Sequence, residues 1–176
     1  MKRLLFAAIA AAMTMFASPA LAQDFSGPRI GALVGVTGDD SPFDDADFTY
    51  GGVIGYDFAL TPVFSIGVEG DIASVSTDTD GFDVDNRQLS AAVRGTYAVS
   101  PRTALYLSGG YSNLEFEVGN VNVDFDGFRV GGGGEFAIGT RLFANTEYRY
   151  SEYDLDSVGG GNEGVHSALV GLGVRF

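Results

Sequence analysis

From Pro28 onward the chain alternates apolar with small or polar side chains in eight segments. They lie at about Pro28 to Thr37, Phe48 to Ala59, Val63 to Ala73, Arg87 to Val99, Thr103 to Phe116, Gly127 to Ile138, Leu142 to Tyr150 and Val165 to Phe176. Strand side chains repeat with period 2, so each segment predicts a strand with one apolar face. In the last, His166, Ala168, Val170, Leu172, Val174 and Phe176 oppose Ser167, Gly171, Gly173 and Arg175. In the second, Phe48, Tyr50, Ile54, Tyr56 and Phe58 oppose Thr49, Gly51, Val53, Gly55 and Asp57. The fifth breaks step: Leu105, Leu107 and Tyr111 take one parity, Leu114 and Phe116 the other, which predicts a bulge or an early end near Asn113.

The connections alternate in length. Leu60-Thr61-Pro62, Ser100-Pro101-Arg102 and Gly139-Thr140-Arg141 read as tight turns, whereas Gly38 to Asp47, Ser74 to Asn86, Glu117 to Asp126 and Ser151 to Gly164 read as long loops. An up-and-down strand order would gather the short turns and both termini at one end and the long loops at the other. Outer-membrane barrels have that asymmetry, and each segment is long enough for a tilted strand to cross a bilayer.

Alternation does not say which face is buried. A soluble lipocalin-like barrel would turn the apolar set inward. Against that stands the content of the other face, where Gly31, Gly35, Gly51, Gly55, Gly67, Gly131, Gly133, Gly171 and Gly173 fall. A solvated strand surface favours Thr, Lys or Glu, while small residues mixed with a few large polar ones suit the narrow interior of an eight-stranded barrel. Aromatic residues agree. Tyr50, Tyr111, Phe128, Tyr148 and Tyr150 fall near the long-loop ends, and Tyr56, Phe58, Phe64, Tyr97, Phe136 and Phe176 near the short-turn ends, as two interfacial girdles would.

The first residues supply a compartment. Lys2 and Arg3 precede an apolar run that ends in Ala20-Leu21-Ala22, the form of a cleaved signal peptide over 1–22. Residues 23–176 would then be the mature domain, and no later segment approaches the length of a membrane-crossing helix. Cysteine is absent, so stability rests on closure and packing. The whole chain carries a formal charge of −13, and loss of Lys2 and Arg3 takes it to −15 with every remaining cation an Arg. That balance excludes nucleic acid as a partner.

The charges divide into two groups. Asp57, Glu69, Asp71, Glu135 and Glu147 share the inward parity with Arg29, Arg94, Arg129, Arg149 and Arg175. Unpaired charge there would be costly, which predicts an ion-pair network centred on Glu69, Arg94, Glu135 and Glu147 with Arg129 and Arg149 above it. Such a network could be a structural plug or the lining of a narrow polar conduit. The other acids, Asp24 excepted, lie in or at the base of the long loops. Among them Asp78, Asp80, Asp83 and Asp85 have the alternating oxygen ligands that Ca²⁺ takes, although Gly81 comes too early for an EF-hand and solvated, mutually repelling loops explain them as well. Catalytic chemistry finds little: His166 is the sole histidine, Ser167 points to the opposite face, and Gly131 to Gly134 precede no helix that could cradle phosphate. No cofactor is expected, and the chain does not read as an enzyme.

Signal peptide, eight amphipathic strands, four long loops and the terminal Val170-Gly-Leu172-Gly-Val174-Arg-Phe176 together resemble the small outer-membrane β-barrels: the OmpA transmembrane domain, OmpX and the opacity-type surface proteins. The resemblance implies an eight-stranded antiparallel transmembrane barrel embedded in outer-membrane lipid. It also implies that Val170, Leu172, Val174 and Phe176 form the signal read by the barrel-assembly machinery. The expected role is envelope integrity or adhesion through loops that meet an external ligand or host surface. A small porin-like channel is the alternative, and a lipid-modifying barrel enzyme a weaker one. The sequence ends with the last strand, so it offers no support for the cell-wall tether of full-length OmpA-type proteins.

Overall fold

The computed structural model describes residues 25–39, 46–79, 82–118, 121–155 and 161–176. Eight strands follow in order: β1 (Gly27–Gly38), β2 (Asp47–Thr61), β3 (Phe64–Thr79), β4 (Phe82–Ser100), β5 (Thr103–Val118), β6 (Val121–Ala137), β7 (Leu142–Asp154) and β8 (Asn162–Arg175). Each pairs antiparallel with its sequence neighbours, and β8 returns to β1, so the sheet closes and leaves no free edge. At the seam Ala32 stands opposite Leu172 and Val34 opposite Val170. The Phe176 N–H then donates to the Pro28 carbonyl at 3.0 Å. Gly27 has a φ of 98°, and a Cβ there would stand 2.6 Å from the Phe176 carbonyl oxygen, so only glycine lets the chain enter the barrel beside its own C-terminus.

The two faces of the sheet are inverted relative to a soluble barrel. Ile30, Ile54, Val68, Leu89, Val93, Val130, Val170 and Leu172 are exposed in a belt around the outside, with Leu107 the most open at 75 %. Every member of the inward charged set is buried. A soluble monomer rarely exposes so continuous an apolar surface. The belt faces lipid, and the lipocalin-like arrangement is excluded by the side of the sheet on which the charges lie. Tyr50, Tyr111, Phe128 and Tyr148 are exposed at one end of the belt and Tyr56, Phe58, Phe64, Tyr97 and Phe176 at the other.

Two expectations are corrected. The segments Ser74 to Asn86 and Glu117 to Asp126 are not loops. β3 and β4 continue pairing to Thr79 opposite Phe82, and β5 and β6 to Val118 opposite Val121, so two of the four external connections are extended hairpins. Nor does β5 bulge near Asn113: its register against β4 runs unbroken from Ala104 to Phe116, and the shifts fall instead at Ala59/Thr61 and Ala98/Ser100, beside the short turns. Leu114 changes parity because it lies where the strand leaves the bilayer. There it stands opposite Phe125, which is buried, and inward apolar side chains can cover the top of the lumen. The signal-peptide segment 1–22 and Asp80 lie outside the described residues, as do the side chains of Asp78, Asp83 and Asp85.

Candidate functional site

Every strand sends at least one side chain into the lumen at mid-barrel, and together these form one chain of alternating charge. It starts at Arg94 on β4, which donates to Glu135 on β6 at 2.7 Å. Glu135 accepts from Arg175 on β8 at 2.9 Å, and Arg175 reaches Asp57 on β2 at 2.8 Å. Asp57 also accepts from Arg29 on β1 at 2.9 Å, whose second branch meets Glu69 on β3 at 2.5 Å. Glu69 bridges on to Arg129 on β6 at 2.7 Å. Arg129 stands 2.6 Å from Asp71, a close charge contact that is not aligned as a hydrogen bond. Asp71 takes Arg149 on β7 at 3.2 Å, and Arg149 ends on Glu147 at 2.9 Å.

Tyr106 on β5 joins the two ends. Its hydroxyl donates to Glu147 at 3.0 Å, and the Arg94 guanidinium lies 3.7 Å over its ring, so ten charges and one phenol make a closed circuit. The five guanidiniums and five carboxylates cancel. Arg suits these nodes because its planar fork lets Arg29, Arg129, Arg149 and Arg175 each serve two carboxylates at once, and lets Arg94 hold Glu135 together with the Thr96 hydroxyl, which a point-charge Lys does less well. Glycines opposite make the room: a Cβ on Gly133 would come within 2.8 Å of the Tyr106 hydroxyl, and one on Gly131 within 3.1 Å of Glu147.

Of the residues singled out from sequence, Glu135 and Arg94 pair directly, as do Glu147 and Arg149, and Glu69 and Arg129. Glu69 takes Arg29 and Arg129 as its partners rather than Arg94. Asp57, Asp71, Arg29 and Arg175 belong to the circuit equally, and their parity already marked them. Tyr106 was missed. The signal was present, since it is a large aromatic on the inward parity of β5 with Gly133 across from it.

Polar and apolar layers cover the circuit. Towards the long hairpins, Gln88 donates to Ser112 at 2.9 Å and to Tyr153 at 2.6 Å, while Thr49 donates to Thr37 at 2.7 Å and Thr37 meets Ser167 at 2.9 Å. Towards the short turns, Phe143, Ala104 and Ala137 are buried, and Phe25 lies across the mouth, its carbonyl accepting from Ser65 at 3.3 Å. A cavity beside Arg29, Glu69, Arg94 and Glu147 measures about 10 Å³. That is room for about one water.

Outside, His166 faces lipid at the long-hairpin end and holds the Tyr148 hydroxyl at 2.7 Å through Nδ1. Ser167 is buried on the other face. The histidine and the neighbouring hydroxyl therefore stand on opposite sides of the sheet and form no nucleophile and base pair. Farther out, bonds from Asn162 and Tyr150 hold the Glu152 carboxyl below the usual carboxylate range. On the terminal strand Val170, Leu172 and Phe176 point outward and are exposed, while Val174 shares their parity and is half-buried.

A closed eight-stranded barrel with an apolar exterior and a polar filled interior matches one family model, the outer membrane protein beta-barrel domain, over residues 8–176. The chain belongs to that family. It is an integral outer-membrane β-barrel protein, similar in fold to Ail, the attachment invasion locus protein of Yersinia pestis, at 17 % identity over 86 % of this chain and 97 % of that one, with a TM-score of 0.57. The N-terminal barrel of Pseudomonas aeruginosa OprF matches at 16 % identity over 86 % and 99 % of the two chains, with a TM-score of 0.59. The outer membrane enzyme PagL matches at 17 % identity over 84 % and 99 %, with a TM-score of 0.53. No curated protein matches the sequence. At these identities the solved structures speak for the fold of the barrel, and attachment proteins and an enzyme share it alike.

Proposed function

We propose that this outer-membrane barrel is a plugged anchor whose work is done by the hairpins and loops it holds outside the membrane, in surface contact or envelope integrity. The observation that carries the reading is the closed charge circuit. It spans the lumen with contributions from all eight strands and leaves a cavity of about 10 Å³ beside it. Eight strands enclose an interior that side chains can fill, and here they are mutually neutralised rather than lining a passage.

The external ends carry Asp124, Asp126, Glu152 and Asp154, all outside the lumen network. Ail has been solved with the heparin analogue sucrose octasulfate. A sulfated ligand would meet repulsion from the acidic rim of this barrel, so its surface partner is cationic or neutral. The outward set Val170, Leu172, Val174 and Phe176 is presented as an assembly signal would have to be, on the lipid side of the last strand.

Planar-bilayer recording tests the plug. The wild-type chain gives no stable conducting steps, and Glu69→Ala, which opens the circuit between Arg29 and Arg129, gives flickering leak. Stable steps in the wild type would favour the channel instead. Binding to cells or matrix by variants with shortened hairpins tests the surface role: loss of binding supports it, and undiminished binding refutes it.

A further inference from the structure

We propose that the outward face of β6, β7 and β8, at the level where the barrel leaves the bilayer, is a binding site for the neutral sugar rings of an outer-leaflet glycolipid headgroup. Phe128, Tyr148, Tyr150, Glu152, Asn162 and His166 make the site, independently of what the hairpins touch.

These side chains are held in place before any ligand arrives. Tyr148 and His166 share the 2.7 Å bond described above, and the Tyr150 ring packs 4.9 Å from the imidazole. Phe128 meets Tyr150 edge-on at 6.4 Å. Tyr150 donates to Glu152 at 2.9 Å, and Asn162 donates to the other carboxylate oxygen at 2.7 Å. Gly164 lies beneath: a Cβ there would stand 2.7 Å from the Tyr150 hydroxyl oxygen, so the phenol rests across β8 only because position 164 is glycine.

The chemistry this offers is that of a sugar. Aromatic faces carry negative charge and attract the partly positive C–H edge of a pyranose ring. The fixed carboxylate and amide next to them accept from and donate to hydroxyls, with the ionised acceptor giving the stronger bonds. A phosphate does not fit. Among the described residues no Lys or Arg faces out here, since Arg129 and Arg149 are buried in the circuit, and Asp126 and Glu152 border the rings. The patch also runs without a break into the lipid-facing belt, with Val130 opposite Tyr150 and Ala168 opposite Tyr148. An occupant therefore has its sugar at the rings and its remainder in hydrocarbon, which selects a membrane glycolipid over a free glycan.

His166 is the only histidine, so one imidazole resonance reports the site. The full chain is placed in phospholipid nanodiscs with and without rough lipopolysaccharide, and glycolipid retention is measured by native mass spectrometry. The expected result is a shifted imidazole signal with lipopolysaccharide. Tyr150→Ala and Glu152→Gln should each lower retention about fivefold, the size of one ring contact or one net hydrogen bond. Tyr50→Ala, in the same girdle on β2 and separated from β8 by β1, should leave retention unchanged. Equal loss in Tyr50→Ala would overturn the site in favour of a general girdle effect. Retention abolished by EDTA would overturn it in favour of a cation-bridged phosphate. An equal imidazole shift from lipid-free core oligosaccharide would overturn the membrane source.

Discussion

Glu69→Gln keeps the side-chain shape and removes one charge from the lumen. The native carboxylate joins Arg29 at 2.5 Å and Arg129 at 2.7 Å, and its side chain is 3 % exposed. The variant leaves five guanidiniums facing four carboxylates, with Arg29 keeping only Asp57 and Arg129 keeping only its misaligned contact to Asp71. Breaking a buried pair from one side costs about 3–5 kcal/mol. The Gln amide oxygen can still accept one bond, which puts the expected loss near the lower end, about 3 kcal/mol. With a urea slope of about 2 kcal/mol per M, the unfolding midpoint falls by about 1.5 M. Heat-modifiable gel migration after urea incubation in lipid vesicles reads that midpoint directly. Arg129→Met in the same chain restores the charge balance, so the double variant should be more stable than the two single losses combined by about 1–3 kcal/mol. A loss below about 1 kcal/mol, the range of solvated pairs, or strict additivity of the two substitutions would refute the reasoning. Either result would mean that water reaches these charges and that the lumen is open.

Tyr106→Phe removes the bonds to Glu147 and the Thr146 carbonyl but keeps the ring under Arg94, so it should cost about 1–2 kcal/mol in the same assay. Gly133→Ala puts a Cβ 1.9 Å from the Thr146 carbonyl oxygen and should destabilise the barrel by at least about 2 kcal/mol, whereas Gly52→Ala, on the lipid side with its nearest atom at 3.6 Å, should fall within about 0.5 kcal/mol of wild type. Because the bonds from Asn162 and Tyr150 lower the Glu152 titration, that contact is complete above the ordinary carboxylate value and is lost as the pH falls through the lowered one. The Asn162 side-chain amide resonance should move over that acidic range, and Glu152→Gln should abolish the movement.

The fold was legible because a membrane barrel has to be written in period 2 on every strand, and because its two faces differ in residue size as well as polarity. Glycine on the non-apolar face carried the decision: Gly171 leaves the space that Asn145 and Leu33 fill, and no solvated surface would require that. The membership of the charge circuit followed from parity. Its wiring did not, because a guanidinium reaches across the lumen to strands far away in sequence, as Arg129 does to Glu69 and Asp71 on β3. The hairpins beyond the bilayer were hidden for a different reason. Asp78 pairs with Asp83 and Val118 with Val121 in the backbone ladder, in stretches whose sequence is rich in Asp, Asn and Gly. Composition there argued for a loop, while continuation of an already paired ladder argued for a strand, and the ladder prevailed.

The division of charge between lumen and rim bears on what can bind outside. Arg29, Arg94, Arg129, Arg149 and Arg175 are all consumed by the circuit, so they offer nothing to a ligand. Of the other arginines, Arg102 and Arg141 lie at the short turns, where no described residue is acidic, and Arg87 stands towards the long hairpins. The excess negative charge of the chain is therefore concentrated on its external end. A neutral lumen cannot offset it, and the acidic hairpins would repel one another if they were not fixed by the barrel beneath them. Holding like charges together is work that a rigid, filled anchor performs better than an open pore. Such an external end binds by attraction to cations or by contacts that do not depend on charge, and the aromatic patch beside His166 is of the second kind.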